Sequence, residues 1–335
     1  DMKSRYILRA DVGYDWEVAL EDIQNDTLTL KEDHLHNYAR KNDRLRYPYA
    51  PQPPTRHDSQ SYLKYDEEHN KFVRREDHIQ GLHVVAAYEA MAHYWLIKRM
   101  VKAKHWYFVS DDDASLITAL LRIFAPEVSA GRAHHILCHA KGGRAKKDLF
   151  DRAIAVRKDV AEWGQSHGFP DTADPLEVAR AYLVDQLRLH PQYKVSKVGG
   201  IKVVLPLKKR YIQYPFPANT EGERLVACTT NISAIPPEEV AIWLLAANNH
   251  VTNGFFQDVR RSIQVLERPL VGASGQKSYV YSNFNPRYAQ YAVTILRTYY
   301  NFCKPVSIDG VKLTPAQHLG LTTKQFTIDD ILYLK

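Results

Sequence analysis

The stretch "YFVSDDDASL" (Tyr107 to Leu116) sets three consecutive carboxylates, Asp111, Asp112 and Asp113, between an apolar run and the start of a helical pattern. Like charges that close together raise one another's proton affinity unless a cation sits among them. Two arrangements relieve the repulsion. In one, the acids form a helix N-terminal cluster, which the helix dipole favours. In the other, they hold a hard divalent cation, which takes oxygen ligands and keeps several waters, so few carboxylates suffice. Asp111 directly follows the apolar run and is the candidate ligand, whereas Asp112 and Asp113 suit the helix N-terminus. Asp11, in "ILRADVG", stands in a similar position: an apolar-rich run reaches the acid and turns at Gly13, with Asp15 as a competitor. Carboxylates that hold two such cations serve phosphodiester chemistry, where charge on the attacking and leaving oxygens must be neutralised.

Other chemistry-bearing residues support less. "HHILCH" (His134 to His139) contains metal-ligand types, but on a strand His135, Leu137 and His139 share one face and His134, Ile136 and Cys138 the other. No second Cys/His pair stands at zinc spacing. "KGGRAKK" (Lys141 to Lys147) lacks the spacing of a phosphate-binding loop. Its Lys141, Arg144, Lys146 and Lys147, with Arg260 and Arg261 further on, can still meet phosphates as cations, or can simply be solvated.

Positioning these groups requires strands that end at acids. Arg5 to Leu20 reads as a strand carrying Asp11, and residues 31–78, with Pro48, Pro51, Pro53 and Pro54, read as an irregular excursion. Leu82, Val85, Ala86, Glu89, Ala92 and Leu96 recur at helical spacing. A strand ending at Asp111, an amphipathic helix ("ASLITALLRIF") and a strand at Ala133 to Ala140 follow. The alternation predicts an α/β fold with functional groups at the C-terminal ends of strands. Charged helices over 144–167 and 174–190 and a β-like segment, "GGIKVVLPLKKRYIQYPF", read as an insertion. A strand ("RLVACTT") comes next. Then a helix is expected from Pro237 to about Glu267, with two prolines at its start, Glu238 and Glu239 in its first turn and Pro269 past its end.

The 335 residues can bury a large core, and a net charge of +7 suits a polyanionic partner. Cys138, Cys228 and Cys303 form no CxxC pair, which argues against a disulfide framework and for a reducing compartment. No apolar run approaches the length of a membrane span, and no signal peptide is evident. The chain begins at Asp1 rather than Met, which leaves room for a preceding segment.

Three stretches resemble the catalytic part of bacterial insertion-sequence transposases of the DDE type, relatives of retroviral integrases. "YFVSDDDASLITALLRIFAP" is similar to their second-Asp strand and the helix behind it. "NNHVTNGFFQDVRR" is similar to the Asn-rich, double-Arg helix that bears their third acid. "TILRTYYNFCKP…TPAQHLGLT" is similar to their C-terminal tail and is the most specific of the three. The resemblance implies an RNase H-like α/β catalytic core with a mixed helical and β insertion and a basic C-terminal tail. Its first part would span 1–143, the insertion 144–222, the last strand and long helix 223–270, and the tail 271–335. It further implies metal-dependent cleavage at transposon ends and strand transfer into target DNA, with Mg²⁺ or Mn²⁺, two ions, held by Asp11, Asp111 and a third acid. The partners would be double-stranded DNA and further copies of the chain, as a homodimer or higher oligomer. The setting would be a bacterial cytoplasm, at the nucleoid, with no membrane.

The third acid departs from the pattern. Aligned without gaps, the family's Glu falls on Thr252, which cannot replace a carboxylate as a ligand. Glu267 is the candidate instead, with Asp258 as an alternative. On one ideal helix, however, Glu267 would lie about 60° around and about 22 Å further along than Thr252. A transposase-derived DNA-binding protein without cleavage, and an RNase H-like structure-specific nuclease, are the alternative readings.

The carboxyls of Asp11 and Asp111 are thus expected on adjacent strands, beside one basic face made by Lys141, Arg144, Lys146, Lys147, Arg260 and Arg261. If that face binds DNA, charge reversal at Arg260 and Arg261 should weaken duplex binding at low salt and flatten its salt dependence, because fewer counterions are released. Titrations across a salt series check this; an unchanged slope assigns both arginines to the solvated surface.

Overall fold

The computed structural model describes residues 1–15, 62–63, 65–66, 82–83, 86–141, 145–207, 210–248, 250–267, 270–271, 277–278 and 286–333. Arg144, Arg268 and most of the 31–78 excursion fall outside that set. The chain forms two compact units, one of Asp1–Val101 with His250–Lys335 and the other of Lys102–Asn249. Among the described residues no helix is long and apolar enough to cross a membrane.

The first unit opens with a short antiparallel pairing of β1 (Tyr14–Asp15) with β2 (Leu82–His83), followed by α1 (Ala86–Met100). Ala92 and Leu96 are buried one turn apart on α1, on the stripe that its sequence period predicts.

The second unit holds β3 (Trp106–Asp111), α2 (Ala114–Ile123), α3 (Ala125–Ser129), β4 (Ala133–Ala140), α4 (Lys146–Ser166), α5 (Pro175–Leu189), β5 (Tyr193–Val198), β6 (Ile201–Pro206), β7 (Ile212–Gln213), β8 (Arg224–Cys228) and α6 (Pro237–Ala246). Its main sheet runs β3-β4-β8-β7, with β3 parallel to β4 and the other pairs antiparallel. The fold is therefore mixed α/β with a mixed sheet. Strand alternation sorts the two faces. Trp106 and Phe108 of β3 meet Phe124 at the end of α2, with ring centroids 5.0 and 4.6 Å apart. On the other face Ile136, Cys138, Val226 and Cys228 pack with Leu183 and Leu187 of α5 and Val240, Ala241 and Leu244 of α6. β5 and β6 form a separate hairpin. The residues expected as an insertion, 144–222, fall in this same compact unit with β3 and β4.

The helix expected from Pro237 to Glu267 is two helices. α6 starts as its prolines and glutamates dictate, with Pro237 in its first turn, and stops at Ala246. There the Asn248 side-chain amide donates to the Ala246 carbonyl at 3.1 Å, capturing an acceptor at the helix end in a way asparagine favours. A new helix, α7 (His250–Ser262), begins in the first unit.

Beyond α7 come a 3₁₀ turn (Gln264–Leu266), a short pairing of β9 (Leu270–Val271) with β10 (Lys277–Ser278), α8 (Pro286–Phe302), a hairpin of β11 (Val306–Ile308) and β12 (Val311–Leu313), α9 (Pro315–His318) and α10 (Ile328–Leu332). Phe255 and Val259 of α7 pack with Val293 and Tyr300 of α8 and with Ile7, Ala10 and Val12 near the N-terminus. Thr314 caps α9 in a reciprocal capping box with Gln317, and Pro315 occupies its first turn.

Residues 5–13, expected as a strand, pair with no strand among the described residues. Side chains of α8 satisfy their backbone instead. The Asn301 amide accepts from Ile7 N at 2.9 Å and donates to Ile7 O at 2.9 Å. Gln290 does the same for Val12 N (2.8 Å) and Ala10 O (3.1 Å), and Arg297 donates to Leu8 O (3.0 Å). Asn301 is 2 % exposed. Asn301→Ala would orphan a donor and an acceptor, each worth about 1–3 kcal/mol when left unsatisfied in the interior. The expected result is a lower urea midpoint and faster hydrogen exchange at Ile7; native-like exchange there would show that the amide is dispensable.

Candidate active site

At the end of β3 the three carboxylates have different surroundings. Asp113 is the N-cap of α2: its Oδ1 accepts from Ser115 N at 2.8 Å and from Leu116 N at 3.1 Å. Asp112, with a side chain only 10 % exposed, accepts a 2.5 Å hydrogen bond from the Tyr211 hydroxyl on Oδ2, and His139 Nδ1 stands 3.8 Å from the same oxygen. Burial raises the Tyr211 pKa, and the Asp112 carboxylate raises it further, so Tyr211 remains a donor. Asp111 ends the strand with an exposed side chain.

The backbone at Asp111 is held from beneath. Ser110 Oγ donates to the Asp111 carbonyl at 2.9 Å and lies 2.9 Å from His135 Nε2. Since the serine proton is committed to that carbonyl, Nε2–H is the donor to Ser110. The Thr229 hydroxyl lies 2.8 Å from His135 Nδ1, to which it can donate in that tautomer, and 3.5 Å from the His135 carbonyl. A neutral imidazole satisfies both contacts, one as donor and one as acceptor, whereas an imidazolium would have two donors. His135 is fully buried, and burial pushes its pKa down to about 4. His134, on the opposite face, stacks with Tyr107 at 5.8 Å and lies 4.9 Å from Trp243, so "HHILCH" is built into the sheet on both faces.

In the other unit Asp11 accepts from two side chains. Arg9 Nε donates to its Oδ2 at 2.7 Å and His93 Nδ1 to the same oxygen at 2.9 Å. Burial pushes the Asp11 pKa up, but the bonds and charges of His93 and Arg9 together outweigh it, and the net shift is downward. Glu89, one turn before His93 on α1, shifts the opposite way, raised mainly by burial and also by the Asp11 charge. Gly13 makes room for it: a Cβ at that position would lie 2.7 Å from the Glu89 carboxyl carbon. His93 was not singled out in the sequence. Glu89 was legible only as an acid within an otherwise apolar helical stripe, a cue that a buried partner awaits it.

The remaining candidates lie on several elements. Thr252 is exposed in the first turn of α7. Asp258 accepts from Lys304 at 2.7 Å. Glu267 lies past the end of α7, on extended backbone (φ −67°, ψ 153°) that closes the 3₁₀ turn. Lys141 is paired with Glu223 at 2.6 Å, and Arg152 meets the same carboxylate at 2.6 Å. Lys146 and Lys147 are exposed in the first turn of α4, in the second unit, while Arg260 and Arg261 lie in the last turn of α7, in the first. Asp11 and Glu267 likewise belong to the first unit and Asp111 to the second. β4 is the one strand beside β3 among the described residues, so the adjacent-strand placement expected for Asp11 does not occur in that sheet.

Among the described residues no group of three or more His, Cys, Asp or Glu stands ready to hold a metal ion. Of the candidate ligands, Asp111 offers an oxygen donor on an exposed side chain, and the Oδ2 of Asp11 accepts from Arg9 and His93. Compared with known protein families, curated proteins and solved structures, the chain matches none.

The buried His135 gives a pH signature. Above its ordinary pKa of 6.5 it is neutral in the folded and unfolded chain alike. Between there and about 4 only the unfolded state gains the proton, so stability falls with pH and then levels off. The full loss is about 3 kcal/mol. Urea midpoints at a series of pH values should therefore decline over that window, and His135→Gln should flatten the decline; an equally steep variant would place the acid sensitivity elsewhere.

Proposed function

We propose that the chain is a DNA transposase of the DDE type, with an RNase H-like core, that cleaves transposon ends and joins the released 3′-hydroxyl to target DNA. The observation that carries this reading is Asp111: an exposed carboxylate at the C-terminal end of β3, in a parallel β3–α2–β4 arrangement, whose backbone is pinned by Ser110. Its two neighbours are engaged by Tyr211 and by the α2 N-terminus, and the Asp111 side chain is exposed. The sequence resemblance in "YFVSDDDASL" and in the tail supports it independently.

Mg²⁺ or Mn²⁺, when bound, would neutralise charge on the attacking and leaving oxygens of the phosphodiester. Asp111 would be one of its oxygen ligands. The reading brings with it double-stranded DNA as partner and assembly of further copies of the chain on paired ends, at a bacterial nucleoid. Asp11 and Glu267 are the further carboxylates to test.

A second reading is a transposase-derived DNA-binding protein without cleavage. Two observations favour it: a threonine, Thr252, stands where the resemblance calls for an acid, and Asp11 is bound to Arg9 and His93.

The discriminating assay is nicking of supercoiled DNA carrying candidate ends, with Mg²⁺ or Mn²⁺. Asp111→Asn should lower the rate by at least about 100-fold, equivalent to roughly 3 kcal/mol of barrier, with duplex affinity kept. Wild-type protein that binds ends without ever nicking them establishes the second reading. Cleavage that survives Glu267→Gln but not Asp111→Asn keeps the enzyme and removes Glu267 from the site.

A further inference from the structure

Among the described residues β5 and β6 pair only with each other, from Tyr193↔Pro206 at the base to Val198↔Ile201 at the tip. Gly199 and Gly200, with φ of 57° and 83°, form the two-residue turn, which demands positive φ at both positions. The base is anchored. Leu207 N donates to Gln192 O at 2.8 Å, and the buried Gln192 side chain accepts from Cys228 N of β8 at 3.1 Å. Tyr193 packs against the core of the second unit. Beyond that base the ribbon exposes Val195 (61 %), Val198 (60 %), Ile201 (71 %) and Leu205 (37 %).

A free two-stranded ribbon is marginal in water, and bare apolar residues on its edges invite aggregation. Lys197 lies directly opposite Lys202, a like-charge pair that further disfavours the isolated ribbon. Lysines on exposed edges do block unwanted strand pairing, which explains the charge but not the apolar tip beside it. From Pro191 to Thr220 the sequence holds Lys194, Lys197, Lys202, Lys208, Lys209 and Arg210 and not one acid.

Alternation identifies the occupant. One ribbon face carries the Lys197–Lys202 pair with Val195 and Val204, and the other carries Lys194 with Leu205, Val198 and Ile201. Cations and apolar groups thus occur on both faces. A ribbon lying on a membrane would separate them, apolar face down. A nucleic-acid groove presents a phosphate wall on each side and base edges at its floor, and a two-stranded ribbon fits into it. A ribbon can read either groove, and from the minor groove apolar wedges unstack base steps and bend the duplex.

We propose that the β5–β6 ribbon is a DNA-binding arm that enters a duplex groove, with Lys194, Lys197 and Lys202 on the flanking phosphates and Val198 and Ile201 against the bases. It rests on the DNA partner of the reading above but not on cleavage.

The test uses the full chain, a variant with residues 194–205 replaced by a short Gly/Ser turn, Lys197→Glu/Lys202→Glu, and Val198→Ser/Ile201→Ser. Melting temperatures confirm that each retains its core. The probe is an end-labelled duplex of about 30 bp and mixed sequence, titrated between about 50 and 200 mM salt with end-to-end energy transfer recorded. The charge reversal should weaken binding by at least about tenfold and reduce the salt slope by about two. The tip variant should keep the slope and lose the bend. Wild-type affinity, slope and bend in the ribbon-less chain would overturn the arm while leaving the function reading intact, whereas an intact chain that binds no duplex overturns both. Ribbon-dependent capture by phosphatidylserine vesicles, with DNA binding unaltered, would overturn the arm in favour of a membrane surface.

Discussion

A backbone segment that leaves the sheet must still satisfy its N–H and C=O groups, and residues 7–12 do so against a helix. Gln290, Arg297 and Asn301 are seven and eleven residues apart, which places them on one face of α8. Two amides, each accepting through its oxygen and donating through its nitrogen, imitate the edge of a strand. Gln290 is itself steadied by Thr294, to whose hydroxyl it donates at 3.1 Å. Its bonds to Ala10 O and Val12 N grip the chain on both sides of Asp11, so the backbone that presents this acid to Arg9 and His93 is fixed from α8. Loss of the stripe would release the segment and, with it, the charge pairing around Asp11.

Charge separation governs the second unit. Consecutive carboxylates cannot share one environment cheaply, and those at 112 and 113 are engaged by a phenol and a helix N-terminus while the Asp111 side chain is exposed. What keeps the strand end in place is a chain of neutral hydrogen bonds, Thr229 to His135 to Ser110 to the Asp111 carbonyl. A neutral clasp beneath an anionic tip is consistent electrostatics: an imidazolium there would need desolvation that no buried carboxylate offsets, since hydroxyls are its contacts.

Local signals are legible in the sequence. β4 spans Ala133–Ala140 as its apolar run predicts, α2 begins after the acids, and the two charged helices fall within a few residues of their expected bounds. Periodicity and caps are properties of neighbouring residues, and so they survive in one dimension. Features set by distant partners leave no such local trace. Residues 5–13 have strand composition, but their hydrogen-bond partners lie nearly 300 residues away on α8. The helical pattern through 237–267 hides a break because alanine at 246 and 247 gives no stop signal; the side chain of Asn248 does. At the candidate site, Asp111 was legible because it ends a strand. Tyr211 and His93 were not, since nothing near either residue in sequence announces a carboxylate partner.

The residues behind the strongest resemblance turn out to be structural. In "YYNFCKP…TPAQ", Tyr300, Asn301, Cys303, Thr314 and Ala316 are buried, and the contacts they make concern packing, the Ile7 backbone and the cap of α9. Lys304 neutralises Asp258. A tail of this kind is informative about which segments must dock, because each side chain has one geometric task that few substitutes perform. It carries no reacting group. The chemical weight of the transposase reading therefore rests on a shorter and less specific stretch, and within it on one exposed carboxylate. These two stretches lie in different parts of this chain, so the packing of one places no physical constraint on the chemistry of the other, and a threonine at position 252 can coexist with a well-packed tail.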